Sequence, residues 1–316
     1  MEYRNLGKTN IKVSRICFGS LTIGPLQANL PIEEGANIIK YAYECGINFL
    51  DTAELYNNYE YIKEALKTIP REKYIIATKS YSYSRETAER SLLNALEKLE
   101  TDYIDIFLLH EQESEYTIRG HYEAVEYFLK AKEKGLIRAF GISTHRIRGV
   151  LDSLKFEEIE VIHPIINKFG LGIQDGNSEE MIDAIKKAYD KGVGIYGMKP
   201  LGGGHLINRV EEAFEYVKDI PYLHSIAVGM QSIDEVDANV NLLEEGNIPK
   251  FLKERLSKKT RKLIVQDWCI GCKKCVETCR HGGIKILDGK ASAVASKCIF
   301  CGYCAAVCPE FCIKVI

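Results

Sequence analysis

The chain has 316 residues, 46% of them hydrophobic and 27% charged, the balance of a globular protein with room for about two domains. A formal net charge of -2 gives no electrostatic reason to expect nucleic acid as a partner, and no run approaches the ~18 apolar residues of a membrane span. The opening MEYRNLGKTN lacks the apolar segment of a secretion signal, so eleven cysteines are expected to be reduced, in the cytoplasm.

From residue 13 to about 246, short apolar runs alternate with amphipathic stretches, the pattern of a parallel β/α protein. In chain order, strands are predicted at VSRICFGS (13–20), NFLDTA (48–53), YIIATKS (74–80), YIDIFLLH (103–110), IRAFGIST (137–144), VIHPIIN (161–167), VGIYGMKP (193–200) and HSIAVGM (224–230). The stretches between them read as helices; in SRETAERSLLNALEKLE, Ala88, Leu92, Ala95, Leu96 and Leu99 share one face. Gly46, Gly135 and Gly192 each follow a predicted helix and lead almost at once into a strand, where glycine supplies the left-handed residue of a short connection. Eight strands with intervening helices over about 250 residues favour a TIM (β/α)8 barrel over an open doubly wound sheet. No GxGxxG follows the first strand, and the GGG at 202–204 follows the seventh.

Beyond the barrel (1–246), the stretch 247–264 reads as a basic linker and 265–316 as a small α+β domain. Between Lys250 and Lys262 seven Lys or Arg face one Glu, a solvated surface that can also steer an acidic redox partner. The last segment holds two cysteine runs, CIGCKKCVETC (269–279) and CIFCGYCAAVCP (298–309), each reading C-x2-C-x2-C-x3-C. That spacing wraps one loop around a [4Fe-4S] cluster, so two clusters are expected. Zinc sites and a disulfide framework are the competing readings, but zinc sites usually pair C-x2-C units rather than runs of four cysteines. Cys17, Cys45 and Cys312 lie outside both runs and read as small buried hydrophobes.

In a TIM barrel the active site lies at the C-terminal ends of the strands. Asp51, Lys79 and His110 end predicted strands, and Tyr56 follows in DTAELY, where its hydroxyl can turn into the mouth. Singly, these residues read as an N-cap, a snorkelling lysine, a core histidine and a packing tyrosine. Together they resemble the Asp, Tyr, Lys, His tetrad of the aldo-keto reductases. MEYRNLGKTNIKVSRICFGS, NFLDTAELY, YNNYEYIKEAL, IRAFGIST, GMKPLGGG and AVGMQSIDEVDANV extend the resemblance over the whole barrel. The C-terminal segment resembles bacterial two-cluster ferredoxins, with Arg280 where the second run has Pro309.

The resemblance implies a nicotinamide-dependent oxidoreductase that moves hydride to or from a small carbonyl or alcohol. Tyr56 would be the proton donor, Lys79 would lower its pKa, Asp51 would hold Lys79, and His110 would orient the carbonyl. For NADPH or NADH, it points to Ser143 and Thr144 on the nicotinamide amide and His163 where relatives often carry glutamine. Met198 stands where many relatives place an aromatic ring, and Lys199, Leu201 and Gly203 fall near the pyrophosphate. Ser232 and Asn239 fall at the adenosine end. Glu235 stands where NADP-preferring relatives carry a basic residue; Ser232 and Glu235 also spell a capping box, so cofactor preference stays open.

The last cysteine of each run of a two-cluster ferredoxin crosses to the other cluster. This implies Cys269, Cys272 and Cys275 with Cys308, and Cys298, Cys301 and Cys304 with Cys279. Such clusters exchange electrons with a partner such as a ferredoxin or flavoprotein. An electron carrier with a non-catalytic barrel, or clusters that merely clamp the chain's end, are the other readings. The order of the segments places the cluster domain beside the barrel mouth. Glu111, Glu113 and Glu115 in the loop after the fourth strand would disfavour anionic substrates if they face that mouth.

Overall fold

A computed structural model describes residues 1–258, 262–298, 300 and 303–315. Eight parallel strands close into a barrel: β1 (Ile16–Gly19), β2 (Phe49–Asp51), β3 (Ile75–Ser80), β4 (Ile104–Leu109), β5 (Ile137–Thr144), β6 (Val161–Pro164), β7 (Gly194–Met198) and β8 (Ser225–Gly229). Closure comes from β8, which pairs with β7 on one side and with β1 on the other, Ile226 opposite Ile16.

Side chains alternate across each strand. One set, including Phe49, Ala77, Leu108, Ala139, Val161, Tyr196 and Ala227, fills the barrel interior; the other packs under the helices in a larger apolar layer. An antiparallel hairpin, Tyr3–Asn5 with Lys12–Ser14, closes the bottom, and Leu6, Ile11 and Val13 join the interior cluster. Water therefore reaches the barrel axis only from the C-terminal ends of the strands.

The helix that carries the predicted apolar face runs Arg85–Leu99 and buries Ala88, Leu92, Ala95 and Leu99. Ser84 caps it, its hydroxyl accepting the Thr87 N–H, which satisfies one of the free amides of the first turn. The three helix-ending glycines, Gly46, Gly135 and Gly192, have φ of 89°, 76° and 82°. A side chain there would be strained, so each turn depends on glycine.

The expected linker is more ordered than its composition implied. A helix, Lys250–Ser257, sends Leu252 fully into the barrel's outer core, and Lys253 and Arg255 bond Glu211 and Asp234. Leu256, partly buried, packs against the same core, so two leucines anchor an otherwise charged segment. Next, β9 (Leu263–Val265) pairs antiparallel with β12 (Ile313–Val315), and β10 (Ile284–Leu287) with β11 (Lys290–Ala293). Two short helices, Lys274–Thr278 and Tyr303–Ala306, carry cysteines into a small core of their own.

The cluster-motif domain docks on the barrel mouth. Gln266 donates to the Leu26 carbonyl at 2.9 Å, in the loop after β1. Phe311 stands 5.7 Å from the His205 ring, beyond β7, and a Cβ on Gly172 would come within 2.8 Å of its Cζ. The absent side chain at Gly172 is what admits the Phe311 ring.

At the opposite end, His224 is buried before β8, and its Nδ1 accepts the Ile195 N–H at 3.0 Å. Burial lowers its pKa from 6.5 to about 4. Between these values the unfolded chain takes up a proton that the folded chain refuses, so stability is full above pH 6.5 and is lost toward about pH 4. His224→Gln is expected to shrink the drop in urea midpoint between about pH 7 and about pH 5 relative to wild type; an equal drop in both proteins would assign the acid sensitivity elsewhere.

Candidate active site at the barrel mouth

The inward positions at the upper ends of the strands are polar where those below are apolar. Asp51 lies two residues above Phe49, Lys79 two above Ala77, His110 two above Leu108 and His163 two above Val161, and all four are buried. They line one cavity of about 1930 Å³ together with Tyr56.

Lys79 is 1% exposed, and its ammonium donates to both Asp51 oxygens at 2.8 and 2.7 Å and to the Thr52 carbonyl at 2.7 Å. Asp51 accepts a further bond from the Tyr196 hydroxyl at 2.9 Å. The Lys79 ammonium lies 5.0 Å from the centre of the Tyr56 ring. Tyr56 sits in a single 3-10 turn, Glu54–Tyr56, ended by Asn57 in the left-handed region at φ 49°.

Burial, then the Asp51 and Glu111 carboxylates, push the Tyr56 phenol well above its usual pKa. The lowering expected from Lys79 is not realised: burial is the largest cause, and the Asp51 that bonds Lys79 also raises the phenol pKa. In the ligand-free site Tyr56 is thus a protonated donor. Burial, followed by Lys79, holds His110 well below the usual imidazole value, so it is neutral. Its Nδ1 is buried with no hydrogen-bond partner among the described residues. Tyr81 stacks on His110 at 4.5 Å and donates to Glu111 at 2.7 Å.

His163 joins this group from β6. Its Nδ1 donates to the Tyr196 carbonyl at 2.6 Å, its ring stacks on Tyr196 at 3.9 Å, and burial lowers its pKa to about 4. Met198, Lys199, Leu201, Gly203, Ser232 and Asn239 also line the cavity. Ser232 caps the helix Ile233–Glu244 through the Glu235 N–H, and Glu235 accepts the Gln231 N–H at 2.7 Å, so the capping reading is realised in part.

Ser143 and Thr144 do not line the cavity. Ser143 Oγ accepts the Glu111 N–H at 2.9 Å, and Thr144 Oγ1 accepts the Arg146 N–H at 3.0 Å, so both hydroxyls bond backbone. From that strand end His145 reaches the wall, its Nε2 2.9 Å from Lys199 Nζ. The acidic loop divides similarly: Glu113 pairs with Arg146 and Glu115 with Lys155, leaving Glu111 beside the site. Strand alternation from Met198 would have found Tyr196; His145 and Tyr81 lie one residue past their strands, where no alternation specifies direction.

In the C-terminal domain, Cys269, Cys272, Cys275 and Cys308 ring one small pocket, which is the crossed set expected for the first cluster. Cys312 rings it too, its Sγ 3.3 Å from that of Cys308. It is buried, as expected, but sits in the thiol group rather than in a purely apolar niche. Backbone N–H groups of Ala291 and Gly283 point at the sulfurs of Cys269 and Cys279, at 3.4 and 3.2 Å. Converging thiols with amides directed at sulfur suit an iron-sulfur group, whose charge such bonds stabilise. For the second run, Cys298 packs against Gly283 beside Cys279 and Cys304 is buried; Cys301 lies outside the described residues. Cys308 lines both the thiol pocket and the barrel cavity.

A closed parallel barrel with acid–base side chains gathered at the C-terminal ends of its strands is the architecture of a barrel enzyme. The chain belongs to the aldo/keto reductase family, whose sequence profile matches residues 15–222. A 4Fe-4S dicluster domain profile matches residues 261–309, giving a fused architecture. L-galactose dehydrogenase of Arabidopsis thaliana is 26% identical over 289 residues, covering 78% of this chain and 89% of that protein. A holo-form aldo-keto reductase from Bacillus halodurans superposes with a TM-score of 0.66 at 26% identity, over 82% of this chain and 96% of its own. A putative aldo-keto reductase from Pseudomonas aeruginosa gives a TM-score of 0.66 at 26% identity, over 77% and 94%. No helix among the described residues is long and apolar enough to cross a membrane.

Removing one member of a buried ion pair strands the other. Asp51→Ala, which leaves the Lys79 ammonium uncompensated, is expected to lower unfolding free energy by about 3 kcal/mol, whereas Asp51→Ala with Lys79→Met recovers most of it. Urea titration checks this; equal losses in the single and double variants would mean that the carboxylate acts through packing rather than charge.

Proposed function

We propose that the protein is a nicotinamide-dependent oxidoreductase that interconverts a small carbonyl compound and its alcohol, with two [4Fe-4S] clusters exchanging electrons with a redox partner. The observation that carries this reading is the convergence of Asp51, Tyr56, Lys79 and His110 on one cavity that also reaches Cys308. When bound there, NADH or NADPH supplies or accepts the hydride.

Tyr56 gives its proton to the carbonyl oxygen in reduction and takes it back in oxidation. Its raised pKa keeps the phenol protonated but makes it a weaker acid, and the nearby Lys79 ammonium offsets this by stabilising the phenolate that remains. Asp51 and the Thr52 carbonyl hold that ammonium in place. His110, neutral and backed by Tyr81, orients the carbonyl. His163, Met198, Lys199, Leu201, Gly203, Ser232 and Asn239 form the cofactor wall.

In the C-terminal domain, one cluster would be held by Cys269, Cys272, Cys275 and Cys308, the other by Cys298, Cys301, Cys304 and Cys279. Reduced thiols in this number suit a cytoplasmic location. Because Cys308 borders the cavity, the first cluster would lie beside whatever ligand the barrel holds.

Tyr56→Phe is expected to lower carbonyl reduction at least about a hundredfold while leaving dinucleotide affinity unchanged, as the loss of a general acid requires. Steady-state kinetics with fluorescence titration of the cofactor measures both, and retained turnover would remove Tyr56 from the reaction. Coupling between the two halves is read by mixing cluster-loaded protein anaerobically with NADH or NADPH and following visible bleaching and EPR. Bleaching is expected; an unchanged spectrum in protein that still reduces carbonyls would mean that clusters and barrel work separately.

A further inference from the structure

Among the described residues six cationic side chains line the barrel cavity, and four are already matched by carboxylates. Lys79 bonds Asp51, Arg146 faces Glu113 at 3.4 Å, Arg209 holds Glu212 at 2.6 Å, and Lys253 holds Glu211 at 2.8 Å. Lys199 and Lys314 form no ion pair among the described residues. Lys199 Nζ lies 2.9 Å from the neutral His145 ring, and burial lowers its pKa to about 8. Lys314 projects from β12 of the cluster domain, and burial brings its pKa to about 8 as well.

The Glu111 carboxylate, which raises the Lys199 pKa without forming an ion pair with it, offsets burial only in part, and the two partly buried ammonium groups repel one another. They approach from opposite sides of the domain junction: Phe311, three residues before Lys314, lies 5.7 Å from Lys199 Nζ. Lys199 is held in the left-handed region at φ 56°, an uncommon conformation for a lysine, before the turn Gly202–Gly204. A Cβ at Gly203 would meet only Phe311, at 3.9 Å, so backbone is open to close approach by a ligand.

We propose that Lys199 and Lys314 together bind the diphosphate of the dinucleotide, so that the cluster domain supplies part of the cofactor site. The inference rests on the nicotinamide reading and adds to it a residue from outside the barrel. Since Lys314 reaches the ligand only when the domain is docked, nucleotide binding and docking favour each other reciprocally.

The test uses full-length, cluster-loaded protein and titrates NADH, NADPH and inorganic diphosphate into wild type, Lys314→Met and Lys314→Arg, with iron content and visible absorbance establishing that each is folded. Lys314→Met is expected to weaken the preferred dinucleotide and inorganic diphosphate about tenfold or more, and Lys314→Arg to retain most of both. Unchanged affinities in Lys314→Met would overturn the inference while leaving the proposed function intact. Unchanged dinucleotide affinity with a raised KM for an anionic carbonyl substrate would overturn the nucleotide assignment in favour of a substrate site. If wild type binds no dinucleotide, the nicotinamide reading and the diphosphate assignment both fail, and loss of inorganic diphosphate binding in Lys314→Met would leave only a general anion site.

Discussion

The Lys79–Asp51 pair sits on the barrel axis, above a packed apolar interior and below the open mouth, and the chemistry of the mouth depends on it. Burying an ammonium there is tolerable only because the carboxylate and the Thr52 carbonyl meet it together. The ammonium in turn helps to keep His110 and His163 neutral. Burial, then Asp51 and Glu111, keep the Tyr56 phenol protonated. Burial first and the ion pair second set the protonation of the surrounding groups, and Tyr196 and the filled barrel below hold that pair in position.

The second constraint is the docking of the cluster domain over that mouth. Phe311 fits where Gly172 has no side chain, Gln266 bonds the loop after β1, and β12 lies against the turn after β7. Each contact touches a segment that follows a barrel strand, so the domain borders the same space as the tetrad. Cys308 then faces two ways, toward the thiol pocket and toward the cavity. A hydride carries two electrons together and each proposed cluster one, so this shared wall is where any exchange between the two kinds of chemistry would be arranged.

Much of the fold was legible in the sequence. Short apolar runs punctuated by Gly46, Gly135 and Gly192 read as barrel strands because periodicity and left-handed caps are local properties. Asp51, Lys79 and His110 stood out as polar residues ending apolar runs, a signal that survives because strand ends of such barrels face one mouth, whereas His163 came only from the family resemblance. Ser143 and Thr144 also end a strand, and their hydroxyls bond the Glu111 and Arg146 backbone N–H groups. Leu252 was hidden among basic residues, and its burial follows from where the preceding helix leaves the chain.

By itself the sequence determined the eight-stranded parallel architecture, the spacing of the thiols and the presence of acid, base and ammonium groups at strand ends, since each is carried by residues close in the chain. Only the tertiary structure decided which way the Tyr56 pKa moves, that Cys312 joins the thiol group, and that Lys314 of the last strand lines the same cavity as Lys199, the residue after β7. Those outcomes depend on burial and on charges brought together from distant segments, and the free energy of a charge is set by its three-dimensional surroundings rather than by its neighbours in the chain.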